Sequence, residues 1–221
     1  MKAYINANTG GGKTCLTVFL ARVYNELNPK NNIYANFKLN IENAIYSRFM
    51  FLPFSIIEKG NCMIIFDDFY ALKNIEQYTS ILAVLSRKVN VEILLTIQYY
   101  TMAKKELRSL CHYEFNPSCS NVVNKKLTNE SSLTFKVINP ISQKLICIKV
   151  IKNILNLING YYDTNEIVKF PTERNIIQEI ADFSYDYNDI EFNASLYTKN
   201  QTTKKRIVKK ICEIKNIKPL F

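Results

Sequence analysis

The sequence predicts an α/β fold: a mostly parallel β-sheet flanked by helices on both faces, followed by a small helical C-terminal extension with a basic tail. Three observations carry this expectation. Strand-sized apolar runs alternate along most of the chain with longer segments whose apolar residues recur at helical spacing. Runs such as "MIIF" (63–66) and "EILLTI" (92–97) are almost apolar throughout, the form of a strand buried on both faces of a parallel sheet. Three of the five glycines stand together at positions 10–12, between the first strand and the first helix. In sheets of this kind, ligand-binding residues collect beyond the carboxyl ends of the strands.

The elements follow in order. Residues 2–6 are short and rich in strand formers, and Leu16, Phe19, Leu20, Val23 and Leu27 lie along one stripe of a first helix. A second strand spans 33–37 between asparagines. The stretch 40–61 reads as a short helix or two ending in a turn at Gly60-Asn61. A buried strand at 62–66 ends in Asp67 and Asp68, and Ile75, Tyr78, Ile81, Leu82 and Leu85 place a helix after it. Another buried strand ends near Gln98, followed by a helix over 101–110 and a strand over 111–117. Alternating "LTFKVIN" and "KLICIKV", separated by "PISQ", predict a hairpin between 133 and 150. A short helix closed by Gly160 leads into an extended segment. Residues 1–170 are read as the core and 171–221 as three short helices packed on it, the last from Thr203 to Lys215, capped by Thr202 or Thr203 and ended by Pro219.

Composition narrows the classes. With 48% hydrophobic and 22% charged residues over 221 positions, the chain can bury a substantial core. No apolar run reaches the ~18 residues of a membrane-spanning helix. The N-terminus enters a strand directly, so no signal peptide is expected, and a cytoplasmic setting is. Six cysteines follow no disulfide framework and mostly sit inside apolar runs. Cys111, His112 and Cys119 lack the fourth ligand that a structural zinc site needs. The net charge of +10 favours a polyanionic partner, and +7 of it lies in residues 199–221.

The glycine cluster belongs to "ANTGGGKT" (7–14), a relaxed form of the phosphate-binding pattern with Ala7 at the first glycine position. Amides of Asn8, Thr9, Gly10, Gly11, Gly12, Lys13, Thr14 and Cys15 can curl around a phosphate, aided by the positive end of the helix that follows. Lys13 can reach the β- and γ-phosphates, and the Thr14 hydroxyl can bind Mg²⁺. Asp67 is the candidate metal anchor and Asp68 the carboxylate that polarises an attacking water. Gln98, past the next strand, can contact the γ-phosphate. Arg87 is the candidate for an arginine supplied in trans to stabilise transition-state charge, with Arg48 and Arg108 as competitors.

Taken in this order, Ala7–Thr14, "IIFDD" (64–68), Arg87 and "TIQ" (96–98) resemble the FtsK–HerA superfamily of DNA-pumping ATPases. "IYANF" (33–37) and "YYDTNEIV" (161–168) resemble stretches of related phage and viral ATPases. The resemblance covers residues 1 to about 170 and implies a P-loop NTPase fold (RecA/ASCE-like) using ATP and Mg²⁺. It also implies a homo-oligomeric ring, hexameric or pentameric, around double-stranded DNA. The small size is similar to the genome-packaging ATPases of icosahedral internal-membrane viruses, which implies work in the host cytoplasm with a capsid or vertex protein as a further partner. Asp68 stands where that family usually has glutamate, one methylene longer.

In the tail, Ile207, Ile211 and Ile214 share one helical face with Val208 beside it. Lys204, Lys205, Arg206, Lys209 and Lys210 occupy the rest, and by analogy with the family they are candidates for phosphate contacts with DNA. A docking helix for an acidic partner and a solvated cationic face are the alternatives. Two other functions stand beside DNA packaging. One is a virion-assembly or secretion ATPase similar to those related to zonular occludens toxin, acting on protein. The other is a nucleotide-regulated binding module that does not hydrolyse.

Overall fold

The structure is a computed structural model that describes residues 1–69, 83–85, 87–88, 90–99, 101, 105–124, 126–162 and 172–219. Among the described residues, eight strands form one sheet in the order β3-β2-β4-β5-β1-β6-β7-β8. They are β1 (Lys2–Asn6), β2 (Asn32–Ala35), β3 (Ala44–Tyr46), β4 (Cys62–Phe66), β5 (Val91–Ile97), β6 (Tyr113–Val123), β7 (Lys126–Ile138) and β8 (Leu145–Ile151). From β3 to β6 every neighbouring pair is parallel; β7 and β8 continue the sheet antiparallel. The helices are α1 (Lys13–Leu27), the single turn α2 (Phe54–Ile57), α3 (Lys105–Leu110), α4 (Ile154–Ile158), α5 (Glu173–Asp182), α6 (Tyr187–Tyr197) and α7 (Gln201–Lys215). Among the described residues no helix is long and apolar enough to cross a membrane.

The apolar runs become the central strands because both faces of the sheet are covered. Tyr4, Ile64, Phe66, Ile93, Leu95 and Ile97 enter one core cluster, with residues of α5, α6 and α7. Their strand neighbours Ala3, Ile5, Met63, Ile65 and Leu94 point to the other face and pack with α1 and α4. The C-terminal helices thus share a core with the sheet: Ile176, Ile180, Ile190, Ala194, Ile207 and Ile211 belong to the first cluster.

Four expectations need adjustment. The stretch 40–61 is mostly irregular, with the edge strand β3 and the single turn α2 in place of one or two helices. Its apolar residues serve the core from loop positions, as Met50, Phe51 and Leu52 do, so they carry no helical period. The strand expected over 111–117 extends to Val123 as β6, with Pro117 inside it. The proline is tolerated because β6 pairs with β1 only through Phe115; beyond it, one strand edge has no ladder to complete. The last helix begins at Gln201, where Asn200 Oδ1 accepts from the Thr203 amide at 2.9 Å, instead of being capped by Thr202 or Thr203. It ends at Asn216 in the left-handed conformation, before Pro219 is reached. Most of the helix expected after Asp68, the "DTNEIV" of the 161–168 stretch and the boundary at 170 lie outside the described residues.

Three polar side chains of the extension fasten residues 47–55, which follow β3. Glu179 accepts from the Ser47 hydroxyl at 3.0 Å and the Phe49 amide at 3.2 Å. Asn193 accepts from the Leu52 amide at 3.0 Å and donates to its carbonyl at 3.1 Å. Asp189, 1% exposed, accepts from Ser55 N and Oγ and from the Tyr185 amide at 2.7–2.9 Å. An Asp189→Ala substitution strands two backbone amides and a hydroxyl. It is expected to lower stability by about 3 kcal/mol, seen as a lower urea midpoint at unchanged slope.

Candidate phosphate and metal site at the carboxyl rim

The glycine cluster forms the turn between β1 and α1 that its composition predicts. A Cβ on Gly11 would lie 2.8 Å from Ala7 Cβ and 3.0 Å from the Asn8 carbonyl oxygen, so no side chain fits there. Gly12 has φ +88, and a Cβ on it would meet Cys119 Sγ of β6 at 2.7 Å and Leu133 Cδ1 of β7 at 3.3 Å. The loop is therefore packed against the antiparallel strands, a contact that nothing in the local sequence signals. α1 starts with no side-chain cap and no acidic residue in its first turn, which leaves its leading amides to an anion. Lys13 Nζ folds back on the loop, donating to the Ala7 carbonyl at 2.8 Å and the Asn8 carbonyl at 3.3 Å. These features fit the phosphate chain of a nucleotide.

β4 delivers Asp67 and Asp68 to the same rim, and two neighbours hold them. The Asn36 amide, just beyond β2, donates to the Asp67 carbonyl at 2.8 Å and accepts from its N–H at 2.7 Å. The Thr96 hydroxyl of β5 donates to Asp67 Oδ1 at 2.6 Å and accepts from the Asp68 amide at 2.7 Å. Burial raises the Asp67 carboxyl above its ordinary range, and Asp68 adds to this; the Thr96 hydrogen bond and the Lys13 charge oppose it. Asp68 is exposed and takes a left-handed backbone at φ +46, which turns it out of the strand line. Gln98 follows the carboxyl end of β5, half-buried. A carboxylate anchor, a hydroxyl at Thr14 and a lysine that Asp67 senses electrostatically make a donor set suited to Mg²⁺ beside phosphate.

Asn36 and Thr96 were not among the residues singled out by sequence. Asn36 lies in the "IYANF" stretch, but nothing in that stretch tells a clamp from a strand-ending asparagine. Thr96 looks like an ordinary buried strand residue. Glu114 is the third addition: 1% exposed, it accepts from Tyr4 Oη at 2.6 Å, Asn6 Nδ2 at 3.2 Å and Gln143 Nε2 at 3.1 Å, and so ties down the end of β1 where the loop begins.

The three arginines divide between the rims. Arg87 is exposed and precedes the amino end of β5, so the strand's length of ~20 Å separates it from Gln98. Arg108, in α3, is also near the amino rim, since the His112 amide donates to the Lys2 carbonyl. Arg48 follows the carboxyl end of β3, its guanidinium 5.8 Å from the Phe49 ring centroid. Among the described residues none of the three joins the loop and the two aspartates. In the tail, α7 buries Ile207, Val208, Ile211 and Cys212, while Ile214 is 52% exposed. Part of its basic face is engaged within the chain: Lys204 pairs with Glu191 at 3.1 Å, and Arg206 and Lys210 approach Glu173 at 3.0 and 3.9 Å. Lys205 and Lys209 are exposed.

To anchor a metal Asp67 would have to be ionised, and its carboxyl holds a proton to higher pH than an ordinary aspartate. Metal-dependent ATP binding is therefore expected to fall on acidification above the usual carboxylate range. Thr96→Val removes a hydrogen bond that favours the charged form, and should move that midpoint to still higher pH in a titration of Mg-ATP binding.

No family model matches the chain, and no curated protein matches it. Among solved structures, the N-terminal domain of zonular occludens toxin from Neisseria meningitidis is similar, with a TM-score of 0.50 and 16% identity over 73% of this chain and 98% of that one. The chain therefore has the α/β fold of that toxin domain, with a mostly parallel eight-stranded sheet.

Proposed function

We propose that the protein is a Mg²⁺-dependent ATPase of the virion-assembly or secretion type, acting on protein. The observation that carries the ATPase reading is the glycine loop on the same rim as the clamped Asp67, with Asp68 next to it and Gln98 just past the neighbouring strand β5. The likeness to the zonular occludens toxin domain favours the assembly type over the DNA-packaging type.

In this reading the loop amides from Asn8 to Cys15 bind the phosphates, and Lys13 exchanges its two loop carbonyls for phosphate oxygens. Thr14 and Asp67 would hold Mg²⁺, which when bound neutralises charge on the phosphate chain. Asp68 orients the attacking water from the exposed turn after β4, with a side chain one methylene shorter than glutamate. Gln98 contacts the γ-phosphate. An arginine from a neighbouring subunit of a ring, Arg87 or one of its competitors, completes the charge stabilisation.

The second reading is the ATP-driven packaging of double-stranded viral DNA, by a hexameric or pentameric ring in the host cytoplasm beside a capsid or vertex protein. The basic tail favours it. Lys205 and Lys209, with Lys204, Arg206 and Lys210 once freed from Glu191 and Glu173, would contact backbone phosphates without sequence preference.

Steady-state phosphate release from Mg-ATP, with and without long duplex DNA at two salt concentrations, separates the two. The assembly reading expects turnover that DNA leaves unchanged. Salt-sensitive stimulation would establish the packaging reading instead, and no turnover under any condition would leave a nucleotide-regulated module. Lys13→Ala and Asp67→Ala are each expected to lower turnover by about 100-fold or more. An arginine acting in trans is checked by mixing its alanine variant with an Asp67→Ala variant, since co-assembly then restores some intact sites.

A further inference from the structure

The far edge of the sheet carries an uncovered apolar surface. β8 pairs with β7 on one side, and among the described residues no strand pairs with its other backbone edge. The register puts Leu133, Phe135 and Val137 opposite Ile151, Lys149 and Cys147. Apart from Lys149, these side chains pack in the core beneath α1 and α4. On the other face Thr134, Lys136 and Ile138 stand opposite Val150, Ile148 and Leu145, with Ile146 as the extra residue of a bulge. Among the described residues no helix covers that face: Leu145, Ile146, Ile148 and Val150 are 51–60% exposed, and Ile141 in the preceding turn is 73% exposed. Single exposed apolar residues are ordinary, but a contiguous row along an open strand is the feature of a docking surface.

Charge identifies the occupant. Lys136, Lys144, Lys149 and Lys152 surround the row, all exposed, and none pairs with a carboxylate among the described residues. Residues 131–162 contain no aspartate or glutamate at all. A second copy of this chain fits poorly. Two-fold antiparallel pairing about Ile148 would set Lys144 against the other copy's Lys152 twice, between bodies that each carry +10.

We propose that β8 is a docking edge for an extended acidic segment of a protein partner, in which β-branched apolar residues alternate with aspartate or glutamate. Such a segment adds a ninth strand by backbone hydrogen bonding. Its apolar side chains extend the row of Leu145, Ile148 and Val150, and its carboxylates meet Lys149 on one face and Lys144 and Lys152 at the ends. The edge is also connected to the glycine loop: Leu133, paired with Ile151 of β8, lies against Gly12. The inference names a partner chemistry for the assembly reading, yet stands without it, since peptide binding and ATP turnover are measured separately.

The test uses the full chain and a fluorescent, end-blocked nonapeptide alternating valine and glutamate, followed by anisotropy. Saturable binding is expected, weakened by salt. It should be about tenfold tighter than binding of a valine–lysine peptide or of the same residues in block order. Lys149→Glu should reverse the preference between the acidic and basic peptides, while Ile148→Glu should lower acidic-peptide affinity at least as much. Both changes fall on exposed side chains, and retained thermal unfolding checks the fold. Three outcomes overturn the proposal: no binding of the alternating acidic peptide, equal binding of the block-order peptide, or a dimer by light scattering that Ile148→Glu dissociates, which would make a second copy the occupant.

Discussion

Burial of β1, β4 and β5 on both faces is the constraint on which the rest of the structure depends. A strand with apolar side chains on both sides can satisfy its backbone only in mid-sheet, and helices must close over both surfaces. With the strands parallel, their carboxyl ends fall on one rim, so the glycine loop after β1, the aspartates after β4 and the glutamine after β5 become neighbours. The core brings these segments together, and Asn36 and Thr96 then hold Asp67 and Asp68 by direct hydrogen bonds.

What the sequence made legible follows the same logic. The central strands were readable because two-sided burial leaves an unbroken apolar run, and the β7–β8 hairpin because a strand with one open face alternates. Residues 40–61 were not. Their apolar members Met50, Phe51 and Leu52 are buried from irregular backbone, which has no period to detect. The candidate site divides similarly. Gly11, Gly12, Lys13 and Asp67 could be named because their chemistry demands particular residue types at fixed local spacing. Asn36, Thr96 and Glu114 could not, since each acts across strands distant in sequence.

The tail illustrates a different limit. A count of lysines and arginines makes residues 199–221 the strongest polyanion candidate in the chain. Folding places Glu173 and Glu191 against three of those cations, so the net charge of a segment overstates the positive surface it offers. The opposite holds near β8, where four lysines scattered through an apolar stretch attract little notice as sequence but gather around one end of the sheet with no carboxylate partner among the described residues.

The fastening of residues 47–55 by Glu179, Asp189 and Asn193 has a mechanical consequence. These residues follow β3 on the carboxyl rim, and their backbone is held by the helices that carry α7. A displacement of α7 would therefore reach this rim through hydrogen bonds of 2.9–3.2 Å that are partly or fully buried. The C-terminal helices and this rim segment are thus joined through side chains packed in the core, where an exposed linker would leave them independent.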